Sequence, residues 1–580
     1  MFTTYKRLFS YIPEQKMWAY LAIVISSLSS LSLVAALYYI YQFLQKIIFF
    51  QDFRSGSFYA LIVATLMVTS SITYVLSGLV SHKVAFRLET NLRKKGIDGL
   101  MSSNFAFFDD SASGKVRKII DDNAAETHSI VAHLIPDNAG AITAPLAILI
   151  LSFLINPIIA LILIFLIGIS AILIKKLVGD TNLMFHYSEA LENLNGATVE
   201  YVRGMQVIKL FKTSIQSFKA LHQAIQNYSK IALKYAFSCR SAYVWFQVLF
   251  ASYILVLITF FVFFFPVEQQ KYYLAQFLFL FSVIGLIFSS FMRVMYVSMY
   301  WHKAKNVIDK IENLYEEMTS NKVYQGENRE LSDSSIEFRD VSFGYEKDLP
   351  IIQHLSFSLK PNKVYALVGS SGSGKTTIAK LIAGFYKADS GQVLLGGKPI
   401  ESYSQEGIMT ELAFVFQVSR LFKISIFENV QMGNPKASYE EVMKALELAC
   451  CQDILDKFPQ REQTVIGASG VHLSGGEMQR LAIARAILKD AKIIILDEAS
   501  ASTDVVNEYQ IQQAFSNLIE NKTVLIIAHR LSSIRGVDEI LLIKQGSIIA
   551  RGSDEALSQE STEYQHLKKL YASANEWRVS

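Results

Sequence analysis

The chain is 580 residues long, 51% hydrophobic and 18% charged, with a formal net charge of +4 at pH 7. So small a positive excess argues against nucleic acid as a partner, and the three cysteines, Cys239, Cys450 and Cys451, form neither a disulfide framework nor a metal-ligand spacing. The average conceals two halves: long uncharged stretches up to about residue 300, and ordinary soluble composition from about residue 330.

At the start, Phe2, Tyr5, Leu8, Phe9 and Ile12 recur at helical spacing and predict a short interfacial helix. Lys6 and Arg7 precede an apolar run, as in a signal peptide, but Trp18 to Gln45 is too long for an h-region and lacks a small-residue cleavage site. That run reads as the first spanning helix, with no peptidase domain expected before it. A span needs about 20 mainly apolar residues, and the windows 17–45, 58–80, 130–155, 157–174, 242–265 and 272–292 meet that requirement. Asn156-Pro157 separates spans three and four, and Pro266 to Lys271 separates the last pair.

Basic residues set the orientation. Lys83, Arg87, Arg93, Lys94 and Lys95 follow span two, and Lys175, Lys176, Arg203, Lys209 and Lys212 follow span four, whereas the opposite loops hold little beyond Arg54 and Lys271. The termini and both long connections are therefore expected on the cytoplasmic side, in a multi-pass protein of a cell membrane. The connections contain few helix breakers, so each is predicted as a helical hairpin; about 25 residues each way reach nearly 40 Å. Their tips are expected near Ser103–Asp109 and Glu200–Met205.

In the second half, Ile336 to Phe343 alternates like a half-buried strand, and Tyr345 follows as a surface for a purine ring. The apolar run Val364–Val368 then leads into Gly369, Ser370, Ser371, Gly372, Ser373, Gly374, Lys375, Thr376 and Thr377. Glycines there let backbone N–H groups close around phosphates, Lys375 adds a point charge and Thr376 offers a hydroxyl to Mg²⁺. A helix is predicted from Thr377 to Phe385 with its N-terminus at the phosphates. Gln417 ends Phe414-Val415-Phe416 with an amide oxygen able to ligate Mg²⁺ or water. Cys450 and Cys451 read as buried thiols on a helix.

Leu473, Ser474, Gly475, Gly476 and Glu477 form a second, highly specific motif. Ile493 to Leu496 is a buried strand delivering Asp497, which holds Mg²⁺ through water, and Glu498, which orients and deprotonates an attacking water. A further strand, Val524 to Ala528, brings His529 to the same sheet edge.

These residues resemble the ATP-binding cassette (ABC) transporters over nearly the whole chain, as a half-transporter of the exporter-type fold. The resemblance implies an α-helical membrane domain of six helices over 1–315, a linker over 316–333, and an α/β P-loop nucleotide-binding domain over 334–580. It implies ATP and Mg²⁺ as cofactors, Tyr345 as the adenine stack, Gln417 as the Q-loop, and Asp504 of Ala501-Ser502-Thr503-Asp504 as the D-loop. Leu473 to Glu477 would be the signature, which reads ATP held by another subunit through Ser474 and Gly476. A second half-transporter, non-identical or identical, is therefore a required partner, alongside the lipid bilayer and a small-molecule cargo. Ala468 stands where exporter-type members usually carry Glu, and Thr503 where they mostly carry Leu.

Ile466 to Glu477 and Leu496 to Glu508 are more narrowly similar to a bacterial subgroup that imports iron–siderophores through paired, non-identical subunits. Import of a ferric chelate is the resulting expectation, against export of a lipid, peptide or drug, and against a non-transporting nucleotide-gated regulator. In the membrane half, Arg293 reads as a snorkelling anchor rather than a cargo contact. His128 and His133 are too isolated in sequence to count as metal ligands.

Overall fold

The structure, a computed structural model, describes residues 2–576 except 49, 111–112, 179–180, 212–218, 265–266, 321–322, 347–348, 418, 468–470, 498–504, 529–533 and 535. The chain forms two compact units, Met1–Met101 with Ser113–Glu317, and Ser102–Ala112 with Met318–Ser580.

The first unit is helical. A short α1 (Phe2–Ser10) and a 3₁₀ turn precede α2 (Lys16–Ile48) and α3 (Phe53–Ser102). After α4 (Phe105–Asp110), which belongs to the second unit, come α5 (Ser113–Arg117), a π turn at Lys118–Asp122, α6 (Asn123–Ile155) and α7 (Pro157–Val178). Then follow α8 (Thr181–Arg203), α9 (Met205–Phe211), α10 (Lys219–Phe264) and α11 (Val267–Thr319). Six helical stretches among the described residues are long and apolar enough to cross a membrane. With 50 residues α3 is roughly 75 Å long, far more than a bilayer's hydrocarbon requires, as its lack of breakers predicts.

Asn156 does break the third span from the fourth: it adopts extended backbone, and its Oδ1 accepts from Ile158 N at 2.9 Å. The expected separator at Pro266–Lys271 is narrower than predicted. Helix α11 already runs from Val267, because Glu268 and two glutamines form an acceptable first turn behind a proline. Serine hydroxyls knit the bundle. Ser26 Oγ donates to Pro136 O at 2.7 Å, Ser77 Oγ to Ala22 O at 2.7 Å and Ser81 Oγ to Val131 O at 3.1 Å. Small polar residues of this kind let membrane helices approach closely.

The second unit holds ten strands among its described residues: β1 (Ile336–Phe343), β2 (Ile352–Leu359), β3 (Val364–Val368), β4 (Ser390–Leu395), β5 (Lys398–Pro399), β6 (Leu412–Val415), β7 (Ile493–Asp497), β8 (Thr523–Ile527), β9 (Glu539–Lys544) and β10 (Ser547–Gly552). One sheet is antiparallel, ordered β2-β1-β4-β5; the other is ordered β10-β9-β3-β8-β7-β6 and parallel except for β10. Phe338, Tyr365, Leu367, Ile382 and Ile527 share the core between them. Of the connecting helices, α12 (Lys375–Ile382) follows β3, α13 (Gln405–Glu411) precedes β6, and α14 (Ile426–Gln431), α15 (Tyr439–Leu448), α16 (Gln452–Asp456) and α17 (Gly475–Lys489) pack on a second core with Leu446, Leu481 and Ile494. The chain continues through α18 (Val505–Leu518), α19 (Asp554–Glu560) and α20 (Thr562–Glu576).

Two local expectations need correction. Helix α12 starts at Lys375 rather than Thr377 and stops at Ile382 rather than Phe385. Gly384, at φ +61°, turns the chain, and Phe385 N closes back on Lys380 O at 2.9 Å. Cys450 and Cys451 lie between α15 and α16 and not on a helix: Cys450 takes φ +54° to end α15, and of the two only Cys451 is fully buried.

Candidate functional site

Parallel pairing assembles one sheet edge from residues scattered along the chain. Leu367 on β3 lies opposite Ile527 on β8, which lies opposite Asp497 on β7. Val415 on β6 lies opposite Leu496, so Gln417 stands just beyond its strand at the same carboxyl end. Gln417 and Asp497 line one cavity of about 880 Å³. Open α/β sheets bind ligands at this edge. Glu498 and Asp504, which follow β7, and His529, which follows β8, lie outside the described residues, as do Ala468 and Thr503.

Between β3 and α12 the loop is built around an absent side chain. A Cβ at Gly369 would sit 2.2 Å from Ile543 O, so no other residue fits against β9. Gly372 and Gly374 adopt φ of +78° and +103°. Lys375 is buried; its Nζ donates to Gly369 O at 3.0 Å and Ser370 O at 2.8 Å. Burial pushes its pKa down, against the nearby Asp497. Ser373 Oγ is buried with no hydrogen-bond partner among the described residues, and no side chain caps α12. Open N–H groups at a helix start, a spare hydroxyl and a buried ammonium fit a phosphate chain. Ser370, Ser371 and Gly372 are exposed, while Thr376 in the first turn of α12 is half-buried and Thr377 buried.

Tyr345 is 45% exposed on this unit. Its hydroxyl lies 3.4 Å from Thr377 Oγ1, and its ring meets Tyr386 edge-on at 5.0 Å, which leaves an aromatic surface close to the phosphate loop. Close by, the first predicted hairpin tip is held: Phe105 stacks on Phe385 at 4.0 Å, and Asp109 Oδ2 accepts from Lys380 Nζ at 2.5 Å and Tyr386 Oη at 2.8 Å.

The motif Leu473 to Glu477 follows no strand of that sheet. It opens α17, where Ser474 Oγ accepts from Glu477 N and the Glu477 carboxylate accepts from Ser474 N at 2.7 Å and from Lys457 Nζ. This capping box leaves the Ser474 hydroxyl proton free to donate. Leu473 packs against the second core, and nothing lies within 4 Å of a Cβ built on Gly475. The other end of α17, at Arg485 and Lys489, lines the Gln417 cavity. Fourteen rises of 1.5 Å separate the two ends by roughly 20 Å.

Sequence reasoning missed Arg480. It is fully buried, donates bidentately to Asp453 at 2.6 and 2.9 Å, and reaches Asn507 Oδ1 at 2.9 Å and the Cys450 carbonyl. Glu-x-x-Arg within an amphipathic helix carries no local signal that the arginine points inward.

In the first unit Arg293 packs its guanidinium against α6 and α3. Its Nη1 lies 3.1 Å from where a Gly140 Cβ would sit, and its guanidinium lies 6.0 Å from the Tyr74 ring centre. Tyr74 Oη donates to Asp137 Oδ1 at 3.2 Å. A glycine on α6 admits the cation among α3 and α6, and intramembrane charges facing a bundle mark functional positions. The histidines are not isolated. His82 Nδ1 lies 3.2 Å from His128 Nε2, His128 Nδ1 lies 3.2 Å from Glu89 Oε2, and the His82 and His133 rings are 5.5 Å apart. No cluster of three or more His, Cys, Asp or Glu side chains able to hold a metal ion occurs among the described residues.

Two family models match the chain: ABC transporter over residues 352–501, and ABC transporter transmembrane region over residues 19–291. The mycobactin import ATP-binding/permease protein IrtA of Mycobacterium tuberculosis is 30% identical over 82% of this chain, and that of Mycolicibacterium smegmatis 28% identical over 87%. The chain spans 55% and 58% of those relatives' lengths. An ATP-dependent lipid A-core flippase of Vibrio vulnificus is 41% identical over 42% of each chain. The structure of a bacterial Atm1-family ABC exporter with ATP bound superposes with a TM-score of 0.79 at 22% identity, covering 98% of this chain and 99% of that one.

Proposed function

From a chain that carries the transmembrane region and the ATP-binding domain of an ABC transporter, in the exporter fold, we propose one ATP-hydrolysing half of a dimeric transporter. The observation that carries this reading is that the phosphate-binding groups and the second motif stand on different elements. The phosphate loop, Gln417 and Asp497 follow strands at one sheet edge, while Ser474 and Gly476 open α17, with the Ser474 hydroxyl proton free to donate. One chain therefore offers two halves of different sites, which two copies facing head to tail would complete.

In that reading the amides of Gly369–Thr376 hold the phosphates, and Lys375 exchanges its two carbonyl acceptors for phosphate oxygens. Tyr345 stacks the adenine. Thr376, Gln417 and Asp497 are an oxygen-rich set suited to Mg²⁺, which when bound neutralises phosphate charge. Glu498 orients and deprotonates the attacking water, His529 contacts the γ-phosphate, and Asp504 lies at the junction of the two copies. Leu473 to Glu477 reads the partner's ATP. Closure of the cassettes draws the hairpins together and hydrolysis releases them, so that access to the membrane cavity alternates. The ATP-binding domain and both termini would face the cytoplasm of a bacterial cell.

For the cargo we propose a ferric siderophore or related metal chelate, taken inward with a non-identical partner. Support comes from the extent of the likeness: it runs through 82–87% of the chain for the mycobactin importers and 42% for the flippase. The test is ATPase stimulation of the reconstituted protein, with and without its candidate partner, across ferric siderophores, haem, lipids and amphipathic drugs. Stimulation by a ferric chelate only when the partner is present supports the reading. Stimulation of the lone chain by drugs or lipids overturns it in favour of a homodimeric exporter.

A further inference from the structure

Outside the nucleotide edge and the Arg293 cluster, the first unit has a cavity of about 590 Å³ walled by α1, α2 and α6. Its size falls within the range of small-ligand sites. The lining is apolar, with Ala19, Ile135 and Ala139 buried at its inner side and Ile23 and Ile142 exposed at its open side. Its rim is cationic: Lys6 of α1 and Lys16 at the start of α2 both line it, both are exposed, and neither has a partner among the described residues. The contrast with the next residue is informative. Arg7 is committed to α11, donating to Glu312 Oε2 at 2.6 Å and Asp309 Oδ1 at 2.7 Å, so α1 is pinned by one cation while its neighbour is left over the cavity.

A polar pair completes the rim. Asn138 Nδ2 donates to Tyr5 Oη at 3.2 Å, and both residues line the cavity. The tyrosine oxygen is thus used as an acceptor, and its proton is available to an anion. The depth is set by the helices. From Lys16 to Ile23 along α2 the cavity runs about 10 Å. At the Lys16 end the Trp18 ring lies 3.8 Å from Lys83 Nζ, an aromatic and a cation of the kind found at membrane–water interfaces. The exposed rims of Tyr20, 68% exposed, and Ile142, 60%, face outward from the bundle.

We propose that this cavity binds one anionic glycerophospholipid of the cytoplasmic leaflet. The phosphate sits between Lys6, Lys16 and the Tyr5 hydroxyl, and the upper part of one acyl chain lies along Ala19, Ile23, Ile135 and Ile142. Charge complementarity selects the head group, since that leaflet carries the negative surface potential that attracts basic segments. The apolar depth selects a lipid over a free anion. Because α1 is bolted to α11 through Arg7, the lipid would act as a wedge holding α1 against α2 and α6. This site is independent of the cargo and of the direction of transport.

The test is native mass spectrometry of the full chain in detergent, titrated with phosphatidylglycerol or with phosphatidylcholine of the same acyl chains. The expected result is saturable retention of one phosphatidylglycerol per chain in preference to phosphatidylcholine. Lys6→Glu with Lys16→Glu should weaken that retention by roughly tenfold or more. Ala19→Trp, which fills the cavity without altering charge, should remove the bound lipid as well, and a monodisperse elution profile with basal ATPase activity checks that each variant is folded. Equal retention of both lipids by the wild-type chain would overturn the proposal. So would displacement of phosphatidylglycerol by inorganic phosphate, which would mark a free-anion site. Loss in the charge variant with full retention in Ala19→Trp would reduce the effect to surface attraction and overturn the cavity.

Discussion

The sheet edge of the second unit and the polar cluster of the first are both small groups of chemically active residues, yet they are assembled by opposite means. At the edge, the active groups follow directly on strands, so parallel register alone aligns Gly369, Gln417 and Asp497. In the bundle, Tyr74, Asp137 and Arg293 come from three helices and meet because Gly140 leaves room for a guanidinium. Backbone hydrogen bonding is a local code that short apolar runs announce. Helix facing is a collective outcome that no stretch of sequence states by itself.

The sharpest way to break this comparison is at the edge. Glu498→Gln should leave ATP binding intact and lower turnover on the order of 10³-fold, the scale of a lost general base. Near-normal hydrolysis by a confirmed dimer of mutant chains would sink the assignment. Lys375→Ala should abolish nucleotide binding itself, as read by fluorescent-ATP titration.

What could be read in advance follows the same division. The strand Ile336–Phe343 is where its alternation places it, and Asn156-Pro157 divides two spans as its missing donor demands. The end of α12 is not legible in advance because Gly384 sits among helix-compatible neighbours, and only the φ of +61° reveals it as a stop. The place of Cys450 and Cys451 is not legible in advance because a non-glycine residue, Cys450, takes the left-handed turn that ends α15. Arg293 and His82 could not be placed because their partners are distant in the chain, which periodicity does not report.

The next largest effect should come from Arg480. Arg480→Ala removes the hydrogen bonds to Asp453, Asn507 and the Cys450 carbonyl; because Asp453 is 41% exposed and can turn to water, the loss should be about 1–3 kcal/mol. Thermal unfolding of the purified chain measures it, and a shift no larger than that of a surface substitution would show that the arginine is dispensable to the fold. Gly140→Leu tests the bundle. Overpacking against Arg293 Nη1 and Ser30 Oγ, each 3.1 Å from the new Cβ, should cost about 1–3 kcal/mol. An unchanged unfolding midpoint would mean that Arg293 does not occupy that place.

Smaller effects belong to the start of α17. Ser474→Ala removes a cap and should cost about 1 kcal/mol of stability before any loss of signature function. The Glu477 carboxyl is pushed up by burial but more strongly held down by Lys457 and the Ser474 amide, so its net pKa lies below the usual value. The unfolded chain then takes the proton first. Stability from this group is complete above the ordinary carboxylate range and is lost as pH falls through the lowered folded value. Acid unfolding of Glu477→Gln should show a shallower dependence across that window, and an identical slope would remove the group from the account.

Helix α17 behaves as a strut of fixed length. A capping box locks one end, and at the other Lys489 Nζ donates to Leu412 O at 2.8 Å while Arg485 Nε donates to Asn429 O at 2.8 Å. A rod held at both ends transmits displacement instead of absorbing it, so a pull at Ser474 is delivered to the first residue of β6 with little compliance. The strut also counts residues: one inserted between Glu477 and Arg485 would swing the far end by about 100°, whereas a four-residue insertion would nearly restore its facing and lengthen it by roughly 6 Å. Angle and length in this part of the molecule are therefore separable mechanical variables.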